Sequence, residues 1–351
     1  MNRQWLLDNA DAPIKYILTR ENGYADKLFE NQEIQYWFSR LKQRSDERNL
    51  GDIHGSHDYR MENILGKCWI LGMSKDIFKF DNCIRFILDF LDKHIHQPNH
   101  GSLSFGKLYS YRDYETVLSC FLPLLGYNDI PSIKYIAEKR INILYDFTKY
   151  KRYNIYVDGS KYKGVKKEWQ PYLINPELYS DGNIALPTMH DFILFAGIYK
   201  GMNTELKDKI ETIVEWIFDE RYMSISRRYG YFYATGGSYN VKAIIFKMHL
   251  INFKDMLFNN SDFNSLLFTC YVLSHFDSAK KSEWFGSARL YLDNYKTPNN
   301  RYKFPSHMIA EKLDNYVING GHMNVGENKR SKQYAEIIST YWMNKIFPDL
   351  Y

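Results

Sequence analysis

Apolar positions recur at i, i+3, i+4 and i+7 along most of the chain, the repeat of helices that each turn one face to a core. FDNCIRFILDFLDKHI (80–95) is representative. The pattern predicts helices over 12–21, 33–44, 58–73, 78–95, 113–125, 131–149, 188–200, 204–220, 239–257, 262–276, 279–296 and 332–346. Alternating patterns are scarce, and NIYVDG (154–159) and the YGYFYATGG region (229–237) are the only hairpin pieces expected. The chain reads as mainly α, with one domain over 1–351.

Four of these helices open alike, at Asp58, Asp113, Asp191 and Asp262. Each aspartate is followed by Tyr or Phe and then by an apolar run richer than a surface helix needs. An aspartate there reads as an N-cap, accepting backbone N–H bonds from the first turn. Three of the four lead into a more charged partner, such as DNCIRFILDFLDKH (81–94) or LKDKIETIVEWIFDE (206–220). The alternation predicts helical hairpins with apolar helices in an inner layer and amphipathic ones in an outer layer, closed into an (α/α) toroid. Insertions at 96–112, 150–187, 221–238 and 297–331 precede the inner helices or the last one. They would gather as long loops covering one end of a central cavity.

Composition narrows the partners. Thirty Tyr and 22 Phe suit cavity walls, because a tyrosine ring is apolar on its face and polar at its tip. The net charge is +5, concentrated in KYKRYNIYVDGSKYKGVKK (149–167) and mixed in sign elsewhere. That lacks the basic stripe of a nucleic-acid binder. Four cysteines with no CxxC pair read as reduced core residues and favour a cytoplasmic setting. No apolar run is long enough to span a bilayer, and MNRQWLLDNADAP lacks the apolar centre of a signal peptide.

Three stretches carry a resemblance: WLLDNADAPIKYILTREN (5–22), IHGSHDYRMENILGK (53–67) and GHMNVGENKRSKQYAEIISTYWMNKI (321–346). They resemble the opening helix, the first inner helix and the closing segment of the terpenoid-cyclase and protein-prenyltransferase α/α-toroid superfamily. Within it the chain looks most like bacterial prenyltransferase/squalene-oxidase-repeat-like proteins of unassigned reaction. The resemblance implies a toroid whose cavity holds an isoprenoid-like molecule. Its signature chemistry is missing, however: there is no DxDD, DDxxD or QxxxGxW, and Asp81-Asn82-Cys83 matches only the start of a prenyltransferase zinc motif.

The richest stretch for chemistry is DIHGSHDYRMEN (52–63). With Asp58 as cap, Glu62 lies one turn in, on a face continued by Gly66, Trp69 and Met73. It is the only acid at that level of the four helices, the equivalents being Val117, Phe195 and Leu266. In an apolar cavity its pKa would rise toward that of a general acid. His54-x-x-His57-Asp58 could hold a metal, but loop spacing without further ligands is weak, and no metal site is assigned. His57, Arg112, His190 and Ser261 precede the four helices at equivalent positions, and with the helix N-termini they suit an anionic or polar group.

Glu62, Asp181, His57 and His190 are therefore the catalytic candidates. Ligand-binding candidates are His54, Trp69 and Arg112, the lid aromatics Trp169, Tyr172, Tyr179, Tyr229, Tyr231 and Tyr233, and His322, Glu327 and Arg330 of the Gly-rich 320–332 segment. The first functional expectation is a cavity that binds or transforms an apolar, isoprenoid-like small molecule. The alternatives are a carbohydrate-active (α/α) hydrolase or lyase and a non-catalytic scaffold. No sequence feature names a cofactor or an oligomeric state.

Overall fold

The computed structural model describes residues 2–95, 114–179, 183–226, 229–233, 241–243, 247–253, 260–311 and 314–348. They are mainly helical. In chain order the helices are α1 (Asn2–Asn9), α2 (Ala12–Thr19), α3 (Asn22–Leu28), α4 (Gln32–Asp46), α5 (Met61–Ile70), α6 (Phe78–His94), α7 (Tyr114–Ser119) and α8 (Pro131–Thr148). There follow α9 (Met189–Ile198), α10 (Thr204–Ile217), α11 (Glu220–Ser224), α12 (Asn260–Leu273), α13 (Asp277–Lys281), α14 (Glu283–Asp293) and α15 (Tyr334–Ile346). Strand β1 (Tyr231–Tyr233) pairs antiparallel with β2 (Val241–Ala243), Phe232 opposite Lys242.

Burial sorts the helices into two kinds. In α4 the buried residues Ile34, Trp37 and Leu41 form one stripe, and Asn31 caps the start by accepting from the Glu33 and Ile34 amides. Helix α10 likewise buries Ile210, Ile213, Val214 and Ile217, with Asn203 accepting from the Leu206 amide. Helices with one covered stripe lie on the outside of a core. Nine of the ten residues of α5, and nine of the ten of α9, are buried. Such helices must be surrounded. The neighbours agree: α5, α7, α9 and α12 touch in succession, and α4, α6, α8, α10 and α13 form a second succession outside them. Helix α15 lies against both α12 and α1.

Between α5, α7 and α12 the interior is filled by rings. Trp69 lies 4.8 Å from Tyr271 and 6.0 Å from Phe121, and Phe121 lies 6.5 Å from Phe268. Gly66 admits this packing, since a Cβ there would stand 2.6 Å from Val317 and 2.7 Å from Phe121.

Glu311 and residues 314–327 tie the end of the chain back to its beginning. Lys67, fully buried, lies 2.8 Å from Glu33 and 2.9 Å from Glu311, and donates to the carbonyls of His322 and Asn324. Asn324 donates to Glu33, Asn31 donates to the Gly326 carbonyl, and Glu327 accepts the Asp11 amide.

Several sequence expectations need correction. Helix α5 starts at Met61, with Arg60 in the cap position making no side-chain capping bond. Asp58 is drawn instead into a surface pair with Arg40 and Tyr36. The cap of α9 is Thr188, and Asp191 is the third helical residue of a capping box. Asp262 lies inside α12, and Asp113 lies outside the described residues. The expected 113–125 helix ends at Ser119 and turns through Pro123–Tyr127, where Gly126 has φ +100°.

The expected helix 239–257 is absent from its described residues. Val241–Ala243 is β2, and 247–253 is irregular. Its backbone is bonded by side chains from elsewhere: Tyr222 donates to the Met248 carbonyl and Trp284 to that of Ile251, while Lys247 donates to the Tyr222 and Ile225 carbonyls. Those tertiary bonds override a short apolar run whose periodicity is ambiguous between helix and strand.

Candidate functional site

Three side chains from separate parts of the chain converge at the N-terminal ends of α5 and α9. The Nδ1 of His54 lies 2.8 Å from Oε2 of Glu62, and the Nε2 of His190 lies 2.9 Å from the same oxygen. Glu62 is fully buried and His190 nearly so. His54 and His190 are 5.5 Å apart at their ring centroids, and the Tyr316 ring is 5.2 Å from that of His54. The other oxygen of Glu62, Oε1, is buried with no hydrogen-bond partner among the described residues.

Local structure holds each contributor. The loop that carries His54 satisfies the first turn of α5, because the Ile53 carbonyl accepts the Glu62 amide at 3.0 Å. Asn63 clamps the loop from below: its amide donates to the Gly55 and His57 carbonyls, each at 2.9 Å, and its oxygen accepts the Val317 amide at 2.9 Å.

His190 sits in the first turn of α9, beside a second buried assembly. Arg140 meets Asp191 through two bonds, Nε to Oδ1 at 2.8 Å and Nη2 to Oδ2 at 3.0 Å, and also reaches the Ile184 carbonyl at 2.7 Å. Oδ2 of Asp191 accepts the Thr188 amide and hydroxyl as well. A bidentate Arg–carboxylate pair fixes orientation as well as distance, so the N-terminus of α9 is rigidly set.

The electrostatics differ from the sequence expectation. Burial alone would push the Glu62 carboxyl up, but the charge of His54 and the hydrogen bonds from His190 and His54 hold it down at about 2. Burial works against the charged form of His54, yet Glu62 outweighs it and raises the imidazole above its ordinary value. Glu62 is an ionised acceptor here, with no proton to give as a general acid.

The other candidates separate. His57 is half-exposed, 3.4 Å from Asp314 and stacked on Tyr59, and it takes no part in the cluster. Trp69 is seven residues along α5 from Glu62, about 10 Å down the helix. There it lines a separate opening with Arg20, Tyr271, Tyr341 and Lys345.

The lid aromatics pack largely on one another. Trp169 stacks on Tyr231 at 4.9 Å, Tyr233 meets Tyr162 at 5.0 Å, and Tyr179 meets Phe232 at 4.7 Å. Tyr172 is exposed. Tyr229 reaches the entry to α9, donating to the Pro187 carbonyl at 2.7 Å.

His322 is buried against the edge of Trp37 and bonded to the Asn315 carbonyl. Glu327 is buried beneath α2, and Arg330 is exposed. His322 and Glu327 thus serve the closing segment, and none of the three joins the cluster. Arg112 and Asp181 lie outside the described residues.

Sequence reasoning passed over Asn63, Lys67, Arg140 and Glu311. A lysine inside the apolar run LGKCWIL and an arginine inside IAEKRINIL were the available signals. No helix of the described residues is long and apolar enough to cross a membrane. Compared with known proteins, the chain matches no family model, and no curated protein or solved structure is significantly similar to it.

Proposed function

We propose that the chain is an (α/α) toroid enzyme whose reaction centre is Glu62 with His54 and His190, and that it transforms a polar small molecule such as an oligosaccharide. The two successions of neighbouring helices, inner and outer, support the toroid. The observation that carries the site is the meeting of two histidines on one oxygen of a fully buried carboxylate whose second oxygen has no partner. An ionised carboxylate left half-satisfied in a core is costly, and such groups concentrate where a ligand completes them.

A polar substrate is favoured over a polyprenyl chain by what lies deeper. The rings of Trp69, Phe121, Phe268 and Tyr271 pack on one another between α5, the segment after α7 and α12, and the opening beside Trp69 and Tyr271 is lined by the cations Arg20 and Lys345 as well, a poor seat for an apolar tail. At the centre itself a carboxylate and two imidazoles offer the polar, ionisable groups that a reaction on a polar substrate needs.

The test incubates the purified chain with neutral and acidic oligosaccharides and with polyprenyl diphosphates, and reads products by mass spectrometry. Turnover of an oligosaccharide, abolished in Glu62→Gln and His190→Gln variants that keep wild-type circular dichroism, supports the reading. Turnover of a polyprenyl substrate moves the function to the isoprenoid class. Turnover of nothing leaves a binding scaffold.

A further inference from the structure

We propose that His54, Glu62 and His190 form a binding site for one divalent transition-metal ion, zinc or a neighbouring first-row ion. This deepens the proposed function and rests on the same cluster. Each residue offers one ligand atom, and the three atoms lie within 4.8 Å of one another. They come from the loop before α5, from the first turn of α5 and from the first turn of α9, so no short sequence motif contains them.

The donor set decides the class of ion. Two imidazole nitrogens and one carboxylate oxygen suit Zn²⁺, Fe²⁺, Co²⁺ or Mn²⁺, whereas Ca²⁺ and Mg²⁺ prefer all-oxygen shells. The spacing is close. Ligands at about 2.0–2.1 Å from a tetrahedral ion stand roughly 3.4 Å apart, so an ion replacing the two nitrogen–oxygen hydrogen bonds, now 2.8 and 2.9 Å, opens each contact by about half an ångström.

The unpartnered Oε1 is the second, independent pointer. It is placed to become a second carboxylate ligand or to accept a hydrogen bond from a bound water. Three protein ligands leave positions open for water and substrate, the arrangement of catalytic rather than structural sites. The surrounding order is what such a site requires. Asn63 fixes the His54 loop, and the Arg140–Asp191–Thr188 assembly fixes the start of α9 before any ion arrives.

The experiment strips the full-length chain with a chelator and titrates it with Co²⁺, following ligand-field absorption, and then with Zn²⁺ by calorimetry. The expected result is one equivalent of Co²⁺, displaced by Zn²⁺, with a rise in melting temperature at saturation. His54→Ala and His190→Ala should each weaken binding at least about tenfold. His57→Gln should leave it unchanged, which separates the three-dimensional site from the His-x-x-His pair in the sequence.

His54 lies on a loop, so its variant reports on binding even if His190→Ala is too unstable to measure. Absence of saturable Co²⁺ binding by the wild type, or undiminished binding by His54→Ala, overturns the proposal. Turnover by stripped protein that binds no Co²⁺ removes the metal and leaves the reaction centre standing. Saturable binding without turnover keeps the metal site and removes the catalytic reading.

Discussion

Replacing Glu311 with Gln tests whether charge, and not shape, holds the closing segment. Burial would raise this carboxyl, but the ammonium of Lys67, with His322 beside it, holds it at about 2 against an ordinary 4.5. A carboxyl whose pKa is lower in the folded state stabilises the fold above its unfolded value. That contribution is lost as pH falls through the folded value.

The displacement from 4.5 to about 2 corresponds to about 3 kcal/mol at pH 7, of which about 1 kcal/mol survives at pH 3. For 351 residues the neutral-pH loss is a fall of about 5 °C in melting temperature. Urea unfolding of wild type and Glu311→Gln at both pH values measures the gap directly. A gap that is the same at pH 3 and pH 7, or below about 1 kcal/mol at pH 7, would refute the argument, since an uncharged amide of the same shape would then serve equally well.

Glu327 should behave in the opposite sense. Burial, reinforced by the charge of Asp11, raises it to about 8 despite the bond it accepts from the Asp11 amide, so its contribution is present at acid pH and is lost as pH rises through 8. The stability difference between wild type and Glu327→Gln should shift by about 4 kcal/mol in favour of the variant from pH 5 to pH 9, read by urea unfolding; a flat difference contradicts it. Arg140→Met strands Asp191 in the core and should cost about 3–5 kcal/mol. Arg140→Lys should recover only part of this, because one ammonium cannot reproduce the two-pronged contact; thermal melts compare the three proteins. Asn63→Ala removes three bonds of a buried side chain and should cost about 2–4 kcal/mol. It should also weaken Co²⁺ binding at the neighbouring cluster, and unchanged binding would mean the loop holds its own shape.

Periodicity was enough for most of the helices because burial on one face is written locally, as in α4, α6 and α10. Their caps were less legible. Asp58 and Asp191 have the right residue type, yet Arg40 and Arg140 recruit them, and only the fold places those arginines nearby. The site was half visible. Glu62 stood out as an acid in an apolar helix, but its partners did not: His54 precedes the helix, and His190 lies 128 residues away. The sequence favoured His57 over His54 as the catalytic histidine, yet the turn at Gly55, with φ +153°, sends His54 to Glu62 and His57 to the surface. The hairpin partner of Tyr231–Tyr233 was hidden because VKAIIFKMHLINF reads equally as a helix face.

The bonds that join Lys67 to residues 311–324 also set an order of events during synthesis. When α5 leaves the ribosome, Glu311 and the carbonyls of His322 and Asn324 lie some 250 residues in the future. Until they arrive, a lysine that ends fully buried must stay hydrated, and the end of the cluster-bearing helix must stay accessible to water. Asn63 likewise waits for Val317. Contacts of such separation close slowly and late. The metal-competent centre is therefore among the last parts of the molecule to mature, and a chain arrested before residue 311 carries all three of its ligands without the closure that sets them.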